Sequence, residues 1–226
     1  MKNFTAAGAA SIAALLLQAQ YAQAQSAPVN WSGFALGATV GGSFGATTGQ
    51  NVILTAPVFL GRPDPSGLMG GLGASYNFQF ENGLVLGAVG DFSLLDASDT
   101  RRNTVVGWSL RVRNDWFATL RARVGYATGP FLFYVSGGLA LTQSTASFDL
   151  IPATGHPATI TAVRPGWTLG TGLDYAIAPN WSLEAEYLYA HINKIAFSVA
   201  PPATAGSTAS FAENMNIVRV GLNYRF

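Results

Sequence analysis

Glu184 and Glu186, two residues apart, are the first candidates for chemistry, because paired carboxylates can do general acid–base work. That work needs unlike environments, so that one carboxyl keeps its proton while the other loses it. Both lie on one face of one extended segment, and the charged neighbours available to that face are arginines, which leave both carboxylates ionised. Nucleophilic catalysis meets a second obstacle. His156 and His191 are the only histidines, and a catalytic histidine needs a nucleophile within reach and a partner that orients it. Ser198 is the nearest serine downstream of His191, seven residues on, and there is no His-x-Ser arrangement. The absence of cysteine excludes thiol catalysis, disulfides and Cys-ligated metal centres. Gly33, Gly37 and Gly41, or Gly70, Gly71 and Gly73, lack the following helix or Lys-Ser/Thr that a phosphate-binding loop requires. The residues therefore point to a protein that is not an enzyme, with no catalytic, cofactor-binding or metal site.

A different constellation remains. Arg121, Arg123, Arg219 and Arg225 share the parity of their segments with small residues, and so do Asp91, Asp174, Glu184 and Glu186. Four cations and four anions form a balanced set. Buried together they must pair, and guanidinium groups engage carboxylates in bidentate fashion. The expectation is an internal salt-bridge network, with Arg121 and Arg123 bracketed by Asp91, Glu184 and Glu186.

Such a network needs a scaffold that hides charge and shows apolar surface. The 226 residues are 49% hydrophobic and 10% charged, against roughly 25% charged in a soluble domain. The formal charge is +1, so no basic excess exists to neutralise nucleic acid. The hydrophobic pattern has period two. Val218, Val220, Leu222, Tyr224 and Phe226 oppose Ile217, Arg219, Gly221, Asn223 and Arg225. The same split runs through 116–126, 167–177 and 181–189, and more weakly through about 31–45, 67–80, 83–95 and 131–144. Tight connections at Glu81-Asn82-Gly83, Thr128-Gly129-Pro130 and Ala178-Pro179-Asn180 alternate with long ones near 46–66, 96–113, 145–164 and 196–214.

Eight such segments describe an all-β, eight-stranded antiparallel up-and-down barrel, with four long extracellular loops and three short periplasmic turns. A soluble barrel of lipocalin type would reverse the faces, apolar inside and polar outside. Here the uncharged Leu, Val, Phe, Tyr and Trp face suits lipid. Aromatics mark two rims: Trp31, Phe80, Tyr126, Phe131, Tyr175, Trp181 and Phe226 on the short-turn side, and Phe44, Phe92, Trp116, Trp167 and Tyr189 opposite. Residues 1–24 read as a secretory signal peptide: Lys2, an apolar run from Ala6 to Leu17, and a small-x-small cleavage site at Ala22 and Ala24. This leaves 25–226 as the barrel domain, bound for the outer membrane of a Gram-negative cell.

Several stretches carry a family resemblance. They are Trp31-Ser32-Gly33-Phe34, Gly73-Ala74-Ser75-Tyr76-Asn77-Phe78-Gln79, Trp116 through Tyr126, Trp181-Ser182-Leu183-Glu184-Ala185-Glu186-Tyr187 and Val218 through Phe226. Together they resemble the outer-membrane immunogenic proteins, small porin-like barrels of alphaproteobacteria. Val89 and Asp174 depart from the family pattern, and the loops match nothing in it. The resemblance implies a structural, surface-exposed barrel, or alternatively a small porin-like channel or a haem-type receptor for small solutes. Haem would want His156 or His191. Expected partners are outer-membrane lipid, the barrel-assembly machinery through a C-terminal strand ending in Phe226, and external molecules met by the loops.

Overall fold

The computed structural model describes residues 29–48, 52–53, 57–58, 64–103, 108–150, 158–199 and 207–226. The expected signal peptide, with Ala22 and Ala24, lies outside the described residues, and so does His156. In chain order the strands are β1 (Gly33–Thr48), β2 (Val52–Ile53), β3 (Pro57–Val58), β4 (Ser66–Gln79), β5 (Leu84–Asn103), β6 (Trp108–Thr128), β7 (Phe131–Leu150), β8 (Ala158–Ala178), β9 (Trp181–Val199) and β10 (Ser207–Arg225). β2 and β3 pair only with each other. The other eight form a closed ring in the order β1-β10-β9-β8-β7-β6-β5-β4, antiparallel at every seam. Closure is what lipid demands, since an open edge would leave backbone groups without partners.

Alternation sets the two faces. Leu68, Leu72, Leu94, Leu120, Leu139 and Val220 point outward and are exposed, while Arg121, Glu186 and Arg219 point inward and are buried. A water-soluble barrel has the opposite arrangement. The three short turns fall where Gly and Pro place them. Gly83 and Gly129 hold φ of +84° and +55°, conformations that side chains with a Cβ rarely adopt. Inside, close packing needs glycine too: a Cβ at Gly172 would run into the Tyr134 ring.

Three features differ from the sequence reading. First, the strands run well beyond the apolar band. β5 reaches Asn103 and β6 begins at Trp108, so most of 96–113 is paired strand. The apolar outward face stops near the membrane boundary, but ladder hydrogen bonds continue with polar side chains above it. Thr145 and Thr161 lie 3.0 Å apart, and Ser147 and Thr159 3.1 Å apart, on this stem. Second, β6 is irregular at Asp115. Leu94 pairs with Trp116 and Ala97 with Asn114, while on the other side Trp116 pairs with Gln143 and Asn114 with Ser144. Bulges re-aim side chains. Below this one Phe117, Thr119, Arg121 and Arg123 are buried; above it Val112 and Asn114 are buried, and Arg111 and Arg113 are exposed. Third, Trp31 is not a rim aromatic. It is 2% exposed, and the Arg225 guanidinium carbon sits 4.8 Å from its ring centre. Trp31 precedes β1 and is free of its alternation, so its indole turns into the lumen near the short-turn end.

Several other rim aromatics pair across strands. Phe131 and Tyr175 lie 4.9 Å apart, and Trp181 and Tyr224 5.0 Å apart, at the short-turn end. Phe92 with Trp116 and Trp167 with Tyr189 lie at the other, 5.7 and 5.6 Å apart. A lipid-facing charge tests this orientation. Leu120, 62% exposed, stands mid-strand on the outer face. Leu120→Arg is expected to cost about 2–4 kcal/mol in urea unfolding from vesicles, where an exposed site in water would cost almost nothing.

Candidate functional site

Strand positions order the lumen from the short-turn end outward. β6 contributes Arg123, then Arg121, Phe117 and Asn114; β9 contributes Glu184, Glu186, then Leu188; β10 contributes Arg225, Arg219, Ile217, then Glu213.

The lowest layer holds Arg225. Its Nη2 donates to the Pro179 carbonyl at 2.9 Å, and its guanidinium lies over Trp31. Among the described residues it has no carboxylate at ion-pair distance, so the balanced set of four and four does not assemble as one unit. Above it, Arg123 Nη1 donates to Asp174 Oδ2 at 3.1 Å, with its guanidinium carbon 3.7 Å from the Tyr134 ring centre. Glu184 accepts from the Tyr134 hydroxyl at 3.0 Å and from Asn223 Nδ2 at 2.8 Å. Arg123 is thus met by Asp174, and the Glu184 carboxylate by neutral donors. Two residues along a strand is about 6–7 Å, which carries Arg123 away from Asp91 and Glu186 and level with Asp174. Tyr134 escaped the sequence reading because β7 alternates weakly, Gly and Ser sharing its inward face.

The next layer is the densest. Arg121 donates through Nη2 to Asp91 Oδ2 at 2.8 Å, through Nη1 to Glu186 Oε1, through Nη1 to Ser136 at 2.8 Å and through Nε to Thr119 at 2.9 Å. Arg219 reaches the same two carboxylates, Nη1 to Asp91 Oδ1 at 2.9 Å and Nε to Glu186 Oε2 at 2.8 Å. Thr119 donates to Asp91 at 2.6 Å. Two cations and two anions form a closed quartet that ties β5, β6, β9 and β10 together across the lumen. Each ion meets two opposite charges, which buried ions need to offset desolvation.

Over the quartet lies an apolar layer. Phe117, Leu188, Ile217, Met215 and Ile192 are fully buried, with Met69, Leu95, Ala97, Ala140 and Ala190 around them. Above this is a second polar cluster that the sequence reading missed. Asn114 Nδ2 donates to Glu213 Oε1 at 2.6 Å, and Arg164 Nη1 to Glu213 Oε2 at 3.3 Å. Ser144 donates to Asn114 Oδ1 at 2.7 Å, and Arg164 Nη2 to the Asn193 carbonyl at 2.9 Å. Arg164 and Glu213 fell in segments expected to be loop. A signal was available, because Arg164 continues the inward parity of Gly166 and Thr168, and Glu213 that of Ile217 and Arg219.

The lower half also holds a small cavity. A cavity of about 40 Å³ is lined by Trp31, Asn77, Arg123, Asp174, Glu184 and Arg225 among others. Trp31 Nε1, Asn77 Oδ1, Arg123 Nε and Asp174 Oδ1 have no protein partner there among the described residues. Two donors and two acceptors line room for about three water molecules, which suits the pocket to hold water. His191 takes no part in any of this. It stands at the outer rim, its Nδ1 2.7 Å from Asn214 Oδ1 and its ring 5.8 Å from that of Trp167.

The quartet and the surface pairs carry unequal weight. Arg121→Ala leaves Asp91 and Glu186 buried with one cation between them, and is expected to lower unfolding stability by about 3–5 kcal/mol. Arg101→Ala, which breaks exposed pairs with Asp99 and Asp64, is expected to change it by less than about 1 kcal/mol. Urea titration of both variants in vesicles checks the contrast.

Comparison with known proteins agrees with this geometry. Residues 9–226 match the family described as outer membrane protein beta-barrel domain. The chain is 38% identical over 164 residues to the 31 kDa outer-membrane immunogenic protein of Brucella melitensis, covering 71% of this chain and 67% of that one. It is 28% identical over 178 residues to the 25 kDa outer-membrane immunogenic protein of Brucella abortus, covering 79% and 74%. Among solved structures, Neisserial surface protein A superposes with a TM-score of 0.50 at 18% identity, covering 86% of this chain and 98% of that one. OprG of Pseudomonas aeruginosa gives 0.50 at 12% identity, covering 88% and 99%. These two likenesses concern the fold alone. With its closed ring of eight strands, its lipid-facing apolar band and these sequence relatives, the chain belongs to the outer-membrane immunogenic proteins of the outer membrane protein beta-barrel domain family and resides in the Gram-negative outer membrane.

Proposed function

We propose that this protein is a closed, non-catalytic structural barrel that strengthens the envelope and presents its outer surface for interaction, with the lumen serving as a plug. One observation carries the reading. The apolar layer of Phe117, Leu188 and Ile217 separates the lower ion quartet from the upper Asn114–Glu213–Arg164 cluster. Ions or hydrophilic solutes crossing the barrel would have to shed their water at that layer. The quartet below it and the cluster above it lock the surrounding strands to one another.

The channel reading requires a continuous polar path, and the buried Phe117, Leu188 and Ile217 side chains between the quartet and the upper cluster count against one. The haem-type receptor reading would rest on His156, which lies outside the described residues, or on His191, which is engaged with Asn214 and Trp167 at the rim. Phe226 fits the role of assembly signal in this proposal. It is exposed at the periplasmic end, its backbone N–H donates to the Phe34 carbonyl across the β1–β10 seam, and its ring packs on Tyr224 and Phe34.

Planar-bilayer recording of residues 25–226 tests the plug. The folded barrel is expected to be silent, and Glu184→Ala is expected to stay silent because the apolar layer is intact. Phe117→Ser combined with Leu188→Ser is expected to open measurable conductance. Steady conductance from the unaltered barrel would contradict the proposal.

A further inference from the structure

Above the membrane the ladder does not run the same height at every seam. β7 and β8 pair without a break up to Phe148–Ala158, whereas β8 and β9 pair no higher than Gly166–Ile192. Beyond that level β8 belongs to a sheet with β5, β6 and β7, and β9 to a hairpin with β10. Two irregularities part the seam. Pro165 has no N–H, so it cannot donate to β9 in the next rung. The Asn193 carbonyl that stands opposite takes Arg164 Nη2 instead, at 2.9 Å. On β9, Asn193 and Lys194 together face Ala212 between the Ile192–Glu213 and Ile195–Phe211 pairs, a bulge that bends the strand at the same level.

One edge of β8 is thereby left open, and Pro165 shows how it is oriented. Lacking an N–H, Pro165 sits in a non-hydrogen-bonded pair with Leu141, and two-residue steps put Val163–Gln143, Thr161–Thr145 and Thr159–Ser147 in the same class. Side chains come closest in such pairs, and the Thr145–Thr161 and Ser147–Thr159 hydroxyl contacts agree. The backbone N–H and C=O groups of Thr159, Thr161 and Val163 therefore point away from β7, into the seam, where no strand among the described residues meets them. Such a row is a template for a further strand, and exposed edges are usually blunted by charge, proline or cover. The opposite edge of the same sheet is blunted: Asp99 and Arg101 on β5 pair at 2.9 Å, and the Asp64 backbone N–H donates to Asp99 at 2.8 Å. From Ala158 to Val163 the β8 edge carries neither charge nor proline.

The connections within this chain do not supply the missing strand. Residues 151–157 and 200–206 join neighbouring strand ends, and seven residues cannot run about 20 Å down the edge and return. The connection 104–107 is shorter, and that from β1 to β4 carries the β2–β3 pair and starts beyond β10 and β9. A second barrel in the same membrane does not supply it either. Rotation about the membrane normal sets two β8 strands, each tilted about 40°, at roughly 80° to one another, too far crossed to pair.

We propose that the open edge at Thr159, Thr161 and Val163 is a strand-addition site for an extended, proline-free segment, about six residues long, of another protein outside the cell. Main-chain hydrogen bonds supply the affinity, and the exposed β-branched side chains of Thr159, Thr161 and Val163 supply a preference for β-branched neighbours. The site gives the surface-presentation reading a specific contact and rests on that reading.

The test uses the folded full barrel in detergent, residue-level amide exchange and, as probe, a blocked six-residue peptide of alternating threonine and valine in large excess. In the free barrel the amides of Thr159, Thr161 and Val163 are expected to exchange about tenfold or more faster than those of Ile160 and Ala162, which bond to β7. The peptide is expected to slow the fast three by about tenfold, and its fully N-methylated form to leave them unchanged. Thr161→Pro removes a seam-facing N–H without touching the β7 ladder, and the heat-dependent gel shift verifies that it folds. It is expected to lose the peptide effect, while Thr161→Ala keeps it. Slow exchange of the three amides in the free barrel, no response to the peptide, an equal response to the methylated peptide, or an undiminished response in Thr161→Pro would each overturn the proposal. Conductance does not depend on this edge, so a failure here leaves the plug standing, and a leaking lumen leaves this site standing.

Discussion

An eight-stranded ring is only wide enough for side chains to fill, and everything else in this structure follows from that narrowness. Ring closure in lipid fixes the outer face as apolar and forces every polar group the strands carry to the inside or above the membrane. Inside, a charge cannot keep a full hydration shell, so it must find an opposite charge within reach. The Asp91–Arg121–Glu186–Arg219 quartet is the fullest solution, every member meeting two partners. Arg225 shows another solution, a carbonyl and an aromatic face in place of a carboxylate. Small residues make the room: Gly172 accommodates the Tyr134 ring, which in turn lets that hydroxyl reach Glu184.

The lumen is layered, and the layering has consequences for function. Its lower half holds a small polar pocket beneath the quartet, and its upper half carries buried apolar side chains under a second polar cluster. In the proposed reading, a barrel built this way contributes strength and surface. Its outer stem, carried above the membrane by strands that outrun the apolar band, is where recognition chemistry is free to vary. The Asp115 bulge shows how one irregular residue redistributes that chemistry, putting Asn114 into the lumen cluster and Arg111 and Arg113 onto the outside.

Much of this was legible in the sequence, because period-two alternation is a local signal that survives wherever one face is uniformly apolar. The eight barrel strands, the three tight turns and the inward parity of Asp91, Arg121, Arg123, Asp174, Glu184, Glu186, Arg219 and Arg225 were visible on that basis. What escaped notice did so for identifiable reasons. Pairing above the membrane needs no apolar residues, so Arg164 and Glu213 looked like loop. A bulge leaves no mark in hydropathy, so the outward turn of Arg111 and Arg113 could not be read. Trp31 stands before its strand begins, where alternation says nothing. The partner choice of Arg123 depended on cross-strand level, a property of register and tilt rather than of spacing along one chain.

The most direct test of the closed lumen is thiol accessibility. The chain has no cysteine, so single thiols can be placed at will. Ser75 lines the lower pocket, and Ala140 lies buried in the apolar layer. With the barrel in sealed vesicles, a small charged thiol reagent added on the short-turn side should modify Ser75→Cys and leave Ala140→Cys untouched. Added from the opposite side, it should modify neither. Ready modification of Ala140→Cys from either side would show a lumen open through its middle and would contradict the account.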